Sequence, residues 1–593
     1  MSDEPVQVTL SVRILFGAAE HSPFVRLVKA RIDDIALVSV WLLLVVVALN
    51  VRPLLPIDET RYLTVAWEMW QRESFLVPLL NGEAYSHKPP LLFWLIDAGW
   101  SIFGVREWWG RLVAPLFGLA GLFTARQLAG AVWPDAPRRV ELVPWLLLGC
   151  VAWALFTTVT MFDMLIVTFV ALAMLGLVQV WHGRALLGWA MVAVALGLGG
   201  LAKGPVVLVY TLPPALLAPL WMRPHAIRWP AYYASLITAV VAGVALVLAW
   251  ALPAARAGGP DYSQAILWGQ TAGRVADAFA HERAWWWYLP VLPALWFPWI
   301  LWPAAWRGVV AAARNPDSGV RMALVWLGSG LLVLSFISAK QPHYALPLFP
   351  AIAMLLAAGL ERVTVGRWNA FLPATAVIAV GVALAGFAYW LRNTNGAIDL
   401  MDLPEFARSI TPWFGVAVAI VGLLVLLNGK VRARAAVLAL ALQSAAIVVL
   451  VHLLGFLPIA FAYDVQPAAK FIFASQMSYG RTVAALEEYH GQFGFAGRLV
   501  RPLRIVSQDA ALIWLDGDSR RRMVLFIDVP FPRWMQPEYQ QPYRGRTLAI
   551  IDYNTWEAYV AWTRAEARRV AAAKDAPARL APAATAPRPG QPD

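Results

Sequence analysis

The chain has 593 residues, 60% of them hydrophobic and 14% charged, with a formal net charge of +12. Soluble globular chains carry roughly 25% charged residues, so a soluble protein is excluded. The positive balance does not point to nucleic acid, because Lys and Arg sit mostly at the ends of apolar runs, where they set topology and meet anionic headgroups.

The first 33 residues are polar and lead into "IALVSVWLLLVVVALNV", with no small-residue cleavage pattern, so no cleavable signal peptide is expected. Arg13, Arg26, Lys29 and Arg31 precede this run and predict a cytoplasmic N-terminus. The stretch 53 to 108 then lies outside. Within it, "ETRYLTVAWEMWQRE" and "PPLLFWLIDAGWSIFG" read as helices lying at the interface, with tryptophans at headgroup level. Further spans are expected near 111 to 131, 141 to 158, 164 to 181 and 231 to 251, with "HGR" inside, "GLAKGP" outside and "MRPHAIR" inside marking two more between the last two. A second outer loop, 252 to 287, ends in "HERAWWWYLP". Spans near 288 to 306, 321 to 338, 344 to 360, 370 to 391, 412 to 428 and 433 to 463 follow. The connections "RGVVAAARNPDSGVR", "ERVTVGR" and "NGKVRAR" are basic and alternate to the inside.

The pattern predicts a polytopic α-helical membrane protein of about 13 transmembrane helices with outer interfacial helices. An odd count puts the segment after 463 outside. Its runs "RIVSQDAALIWL", "MVLFIDV" and "GRTLAIIDY" are β-like between helical patterns and suggest a small soluble α/β domain. The expected division is a membrane domain over 1–463, an α/β domain over 464–572, and an Ala/Pro-rich tail over 573–593 too poor in large apolar groups to fold. The lone cysteine, Cys150, cannot form an intrachain disulfide.

Charged groups from distant parts of the chain share the outer face. Asp58, Glu59 and Arg61 open the first loop, with Glu83, Tyr85, His87 and Lys88 beyond them. Asp163 tops a two-helix turn, and Lys203 lies in "AKGP". His281, Glu282 and Arg283 end the second loop, while Lys340, His343 and Tyr344 lie in "SAKQPHYALP". Ionisable groups beside hydrocarbon are expensive and mark functional sites, and mixed charges on one face suit a phosphate next to an electrophile. Each piece alone has a plainer reading. "DE" after a span is also an ordinary helix start, Asp163 an ordinary cap, and "HKPP" and "AKGP" ordinary turns. Asp97, in "LLFWLIDAGW", either faces the bundle or caps a helix. The histidines lack metal-site spacing.

"PIDETRYLTVAWEMWQRESFLVPLLNGEAYSHKPPLLFWL" resembles the first outer loop of the aminoarabinose–lipid A transferases. These are GT-C membrane glycosyltransferases, related to the protein O-mannosyltransferases. Asp58, Glu59, Arg61, Tyr62, Asn81, Gly82, Glu83, Tyr85, Lys88, Pro89 and Pro90 match the pattern. "FDMLIVTF" resembles the second acidic position, "GLAKGP" the lysine loop, and "KQPHYALPLFPA" the Lys-x-Pro-x-Tyr-x-Leu-Pro segment. The resemblance covers the membrane portion and fades in the C-terminal segment.

The resemblance implies a monomeric enzyme of the bacterial inner membrane, working on its periplasmic side. It implies a sugar donor on undecaprenyl phosphate and a lipid A or other envelope acceptor. Asp58, Asp163 and Glu59 are the implied catalytic acids. Arg61, Tyr62, Glu83, Tyr85, Lys88, Lys203, His281, Lys340 and Tyr344 are the implied substrate-binding groups. Relatives commonly carry an acid just before the Lys-Pro-Pro lysine, where this chain has His87; a divalent metal, if bound, would meet His87 there, but nothing in the reading requires one. The alternatives are glycosylation of a protein or another envelope glycan, and transport of a lipid-linked sugar. Transport is disfavoured by the lack of an internal repeat and by polar residues gathered at one face.

Overall fold

The structure is a computed structural model that describes residues 23–223, 227–273, 282–366, 371–393, 410–428, 432–487 and 489–575. The chain forms two compact units, one of residues 1–466 with 490–502, the other of residues 467–489 with 503–593.

The first unit is helical. Helix α1 (Pro23–Val51) carries the first span. After a short turn come α2 (Asp58–Gln71), a two-stranded hairpin of β1 (Leu79–Leu80) and β2 (Glu83–Ala84), and α3 (Leu91–Phe103). Helices α4 (Glu107–Val132), α5 (Pro137–Leu148), α6 (Val151–Phe156), α7 (Asp163–Trp181) and α8 (Ala185–Lys203) follow. Both short segments between the first two spans are therefore helices, as expected, with a hairpin between them.

Among the described residues, nine helices are long and apolar enough to cross a membrane. Several expected spans are interrupted instead. The stretch near 141 to 158 breaks between α5 and α6, where Cys150 takes an extended backbone (φ −78°, ψ 119°). The stretch between "GLAKGP" and "MRPHAIR" runs as Val206–Leu216, with two adjacent internal prolines, and then a 3₁₀ turn. The stretch near 288 to 306 is Tyr288–Leu295, a 3₁₀ turn and Pro303–Arg314. Pro412–Asn428 is a continuous helix of 17 residues. In the other direction, the helix from Trp229 continues to Gln264, through residues expected in the second outer loop, with a kink where Gly259 adopts φ +85°.

Helix α7 is buried nearly all round, which marks the centre of the bundle. Lipid tails are as apolar as leucine, so close backbone approach must do much of the work of helix association. Helices α7 and α8 meet in this way: a Cβ on Gly176 would sit 2.7 Å from the Gly188 carbonyl oxygen, and one on Gly188 would sit 2.5 Å from that of Gly176. At the helix ends remote from Asp58, ion pairs tie the bundle together. Asp34 binds Arg126, Asp33 and Glu141 share Arg434, and Asp317 and Glu361 share Arg139. Residues 490–502 return to α2: Thr64 Oγ1 donates to the Gly491 carbonyl (2.7 Å) and accepts from Phe495 N (2.9 Å).

The second unit holds a five-stranded sheet in the order β4-β3-β5-β7-β6. Strands β3 (Thr482–Leu486), β4 (Arg504–Val506) and β5 (Arg521–Ile527) are parallel, while β6 (Tyr539–Tyr543) and β7 (Arg546–Ile551) run antiparallel. Met523, Leu525, Ala549 and Ile551 are buried with Trp556 and Tyr559 of the helix Tyr553–Asp575. The sequence reading anticipated β4, β5 and β7. "ALIWL", read there as β-like, begins the helix Ala511–Asp516. Residues from 576 onward lie outside the described residues.

Candidate active site

Helix α2 is the frame of the site, and its acids have three different fates. Asp58 is the first helical residue, where the helix dipole favours an anion. Its side chain is 47% exposed, and its Oδ1 accepts from Arg61 and from the Tyr62 hydroxyl (3.1 Å). Tyr62 is buried edge-on to Phe162 at 4.9 Å between ring centres.

Glu59 points the other way. It is 1% exposed and is bound by both Arg52 terminal nitrogens, by Leu55 N (2.9 Å) and by Thr160 N (2.7 Å). Arg52 Nη2 also donates to the Thr158 carbonyl at 2.8 Å. Burial alone would raise the Glu59 carboxyl, but the Arg52 guanidinium, Arg111 and the Thr160 N–H override it and hold it down at about 2. Glu59 was grouped with the catalytic acids from sequence. With four donors around it and no access to solvent, it is a positioning group that ties α2 to the turn preceding Asp163.

Glu68, one face further along α2, was not singled out from sequence. Its two carboxylate oxygens accept from Asn81 N (2.5 Å) and Gly82 N (2.8 Å). Asn81 and Gly82 both have positive φ (56° and 84°), a conformation glycine adopts without strain, and the carboxylate caps the turn they make. The turn carries exposed Glu83 and leads to buried Tyr85, whose N–H donates to the Pro78 carbonyl (2.7 Å). Burial raises the Glu68 carboxyl, against the pull of the two N–H donors and Arg72. Removing Glu68 leaves those donors without their acceptor and loosens the segment that carries Lys88. Glu68→Ala is therefore expected to lower turnover about tenfold or more, since misplacement of about 1 Å is that costly. Glu68→Gln, which keeps one acceptor, should recover part of it. Wild-type turnover in Glu68→Ala would mean the hairpin holds its place unaided.

The second acid, Asp163, is the first residue of α7 and is buried; Lys203, the last residue of α8, donates to its Oδ1 at 2.7 Å. The Lys203 ammonium also lies 5.0 Å from the ring centre of Tyr344. His343 is buried at 4.8 Å from the same ring. Lys88 is within electrostatic reach of both Asp163 and His343, and Asp58 of His343. The structure thus brings together Asp58, Arg61, Tyr62, Tyr85, Lys88, Asp163, Lys203 and Tyr344 from four separate stretches of chain. Two further tyrosines, Tyr210 and Tyr288, brace this cluster by donating to the carbonyls of Tyr344 (2.7 Å) and Gln341 (3.1 Å). Their apolar surroundings in sequence gave no signal.

Other expected site groups stand differently. Lys340 is 3% exposed, and its ammonium donates to the carbonyls of Arg283 (3.1 Å) and Ile337. It pins Arg283 to the 340 segment rather than presenting charge to a ligand. His281 lies outside the described residues. His87 is exposed beside the Tyr85 ring at 5.3 Å. Among the described residues no group of three or more His, Cys, Asp or Glu side chains is arranged to hold a metal ion. Asp97 is buried in α3, and neither of its carboxylate oxygens has a hydrogen-bond partner among the described residues.

Residues 87–250 match the family model described as dolichyl-phosphate-mannose-protein mannosyltransferase. Over 353 residues the chain is 31% identical to the undecaprenyl phosphate-alpha-4-amino-4-deoxy-L-arabinose arabinosyl transferase of Pseudomonas savastanoi pv. phaseolicola, covering 57% of this chain and 63% of that protein. It is 30% identical over 343 residues to the protein of the same name from Pseudomonas aeruginosa PAO1, covering 56% of this chain and 60% of the relative. The matches thus span somewhat under two thirds of these relatives. The crystal structure of ArnT from Cupriavidus metallidurans bound to undecaprenyl phosphate shares the fold, with a TM-score of 0.67, 18% identity, and coverage of 87% of this chain and 97% of that one. The chain is thus similar in sequence, over somewhat more than half of its length, to these arabinosyl transferases, and it shares the fold of ArnT.

Proposed function

We propose that the chain transfers an amino sugar, 4-amino-4-deoxy-L-arabinose or a close analogue, from undecaprenyl phosphate to a phosphate of lipid A at the periplasmic face of the inner membrane. The observation that carries the reading is the gathering of Asp58, Lys88 and the Asp163–Lys203 pair at one end of the helices. In this reading an acceptor phosphate oxygen attacks the anomeric carbon, the bond from that carbon to the donor phosphate oxygen breaks, and undecaprenyl phosphate departs. Negative charge grows on the leaving phosphate, where Lys88, Arg61 and Lys203 stabilise it. A phosphomonoester acceptor is already largely ionised near pH 7, its second pKa being about 6. Asp58 then has no proton to remove; it orients the acceptor or pairs with the sugar ammonium. The relatives' names support this donor.

The same reading places the N-terminus in the cytoplasm, gives the bundle about 13 crossings when broken helices are counted, and sets the α/β unit in the periplasm. Fusions at residue 480 should be active with a periplasmic reporter enzyme and dark with a cytoplasmic fluorophore; the reverse pattern puts the site on the wrong side. The reaction itself is tested with purified protein. Undecaprenyl phosphate should be released from its aminoarabinose conjugate when lipid A is added. Release that needs no acceptor, or that needs a peptide instead, contradicts the reading.

Lys88 provides a sharper test of the leaving-group role. It sits between His87 and the rigid Pro89-Pro90 pair, which fixes where it projects. Lys88→Ala should weaken donor binding and lower single-turnover rate about 10²-fold. Lys88→Arg should retain part of both, because it keeps the charge but not the compact ammonium. Wild-type values for Lys88→Ala in detergent would leave Lys88 only as a side chain reaching for headgroups.

A further inference from the structure

The charged cluster around Asp58 and Asp163 holds one polar side chain that the transfer reaction has not used. His343 lies at the start of a 3₁₀ turn (Pro342–Leu348) and is 8% exposed. Its ring packs edge-on against Tyr344 at 4.8 Å and lies 5.7 Å from the ring of Phe156. The same Tyr344 ring faces the Lys203 ammonium, which in turn binds Asp163. Asp58, Lys88, Asp163 and Lys203 are all within electrostatic reach of the imidazole. Yet neither ring nitrogen hydrogen-bonds to a described residue, and neither is among the polar atoms sealed off without a partner. The residual exposure of the side chain therefore includes its polar edge, which opens toward the charged groups around it.

The neighbours indicate what meets that edge. In the proposed transfer, on which this inference rests, Asp58 serves the acceptor or the sugar ammonium, while Lys88 and Lys203 serve the leaving phosphate. Between an attacking oxygen and a leaving oxygen lies the sugar. A sugar hydroxyl both donates and accepts. Ammonium and guanidinium groups only donate and carboxylates only accept, whereas an imidazole, with an ordinary pKa of about 6.5, offers one N–H and one lone pair at neutral pH. The sugar ammonium is a poor partner for it, because Lys88 and Lys203 repel a third cation at that place.

We propose that His343 is a specificity-determining residue that hydrogen-bonds a hydroxyl of the transferred sugar. It meets the sugar and not the lipid phosphate, so it separates donors by what they carry rather than by the lipid that carries it.

The test compares two ligands on the purified full-length protein in detergent: undecaprenyl phosphate and its 4-amino-4-deoxy-L-arabinose conjugate. His343→Phe keeps an aromatic ring against Tyr344 and Phe156 but can neither donate nor accept. Its affinity for the conjugate should fall about tenfold, the cost of leaving one hydroxyl unpaired in a largely buried site, while its affinity for undecaprenyl phosphate stays at the wild-type value. His343→Gln, whose amide has both a donor and an acceptor, should recover part of the loss. A second comparison needs no variant. Of two conjugates in which the C2 or the C3 hydroxyl of the sugar is replaced by hydrogen, one should bind the wild type about tenfold more weakly than the parent. Equal losses for both ligands in His343→Phe, an undiminished affinity for the conjugate, or indifference of the wild type to both missing hydroxyls would overturn the assignment alone. A wild-type protein that does not bind the conjugate at all would overturn the transfer reading, and this assignment with it.

Discussion

Asp58→Asn is expected to lower sugar transfer by about 10²-fold or more while leaving the fold intact. Asparagine nearly preserves the shape of the side chain and can still accept from the Tyr62 hydroxyl, so the helix start and its packing survive. What it loses is charge, at a half-exposed position with no structural tie beyond Arg61 and Tyr62. Neutralising it also frees Arg61 from its ion pair, and so alters the cation field presented to a leaving phosphate. Single-turnover rates with purified protein, alongside a thermal transition matched to wild type, separate the roles. Near-normal turnover would reduce Asp58 to an acid that starts a helix.

The neighbouring acid should behave in the opposite manner. Glu59→Gln is expected to destabilise the membrane unit by about 3–5 kcal/mol, because it leaves the buried Arg52 guanidinium without its counter-charge. Activity would fall as a consequence of lost fold, and a thermal shift in detergent would show it first. The pH dependence carries the same signature. The Glu59 carboxyl is held at about 2 in the folded protein against an ordinary 4.5. A depressed carboxyl contributes stability that is fully present above the ordinary value and disappears as pH falls through the folded one. Wild-type protein should therefore lose stability between about pH 4.5 and about pH 2 with a contribution that Glu59→Gln lacks. A variant as stable as wild type across that range would show that Arg52 and Glu59 do not clamp α2 to the turn before Asp163. Two adjacent acids, one costing turnover and the other costing fold, would be hard to explain by a shared catalytic role.

Much of this was legible in the chain because the informative signals are local. Asp58, Arg61 and Tyr62 lie within one helical turn, and the segments holding Lys88, Lys203 and Tyr344 are short runs between prolines or at span ends. Strands β5 and β7 announce themselves as compact apolar runs. Edge strand β6, "YQQPY", does not, since an edge needs no continuous burial and tolerates proline. The division of labour between Asp58 and Glu59 could not be read, because the Thr160 N–H that binds Glu59 and the Thr158 carbonyl that binds its partner Arg52 are about a hundred residues away and are backbone groups without a side-chain signature. Glu68 was missed for the same reason: both of its partners are backbone N–H groups. Hydropathy likewise passes over the break between α5 and α6, because the residues around Cys150 are as apolar as those of a continuous span.

The central claim is that the cluster on α2, α7 and α8 moves an amino sugar from undecaprenyl phosphate onto lipid A. The most direct measurement is mass spectrometry of lipid A from cells with and without the gene, with the Asp58→Asn gene as control. The account predicts an added aminopentose mass on a lipid A phosphate with the intact gene alone. Unchanged lipid A in all three strains, with a sugar gained instead by a protein or another envelope glycan, would contradict it.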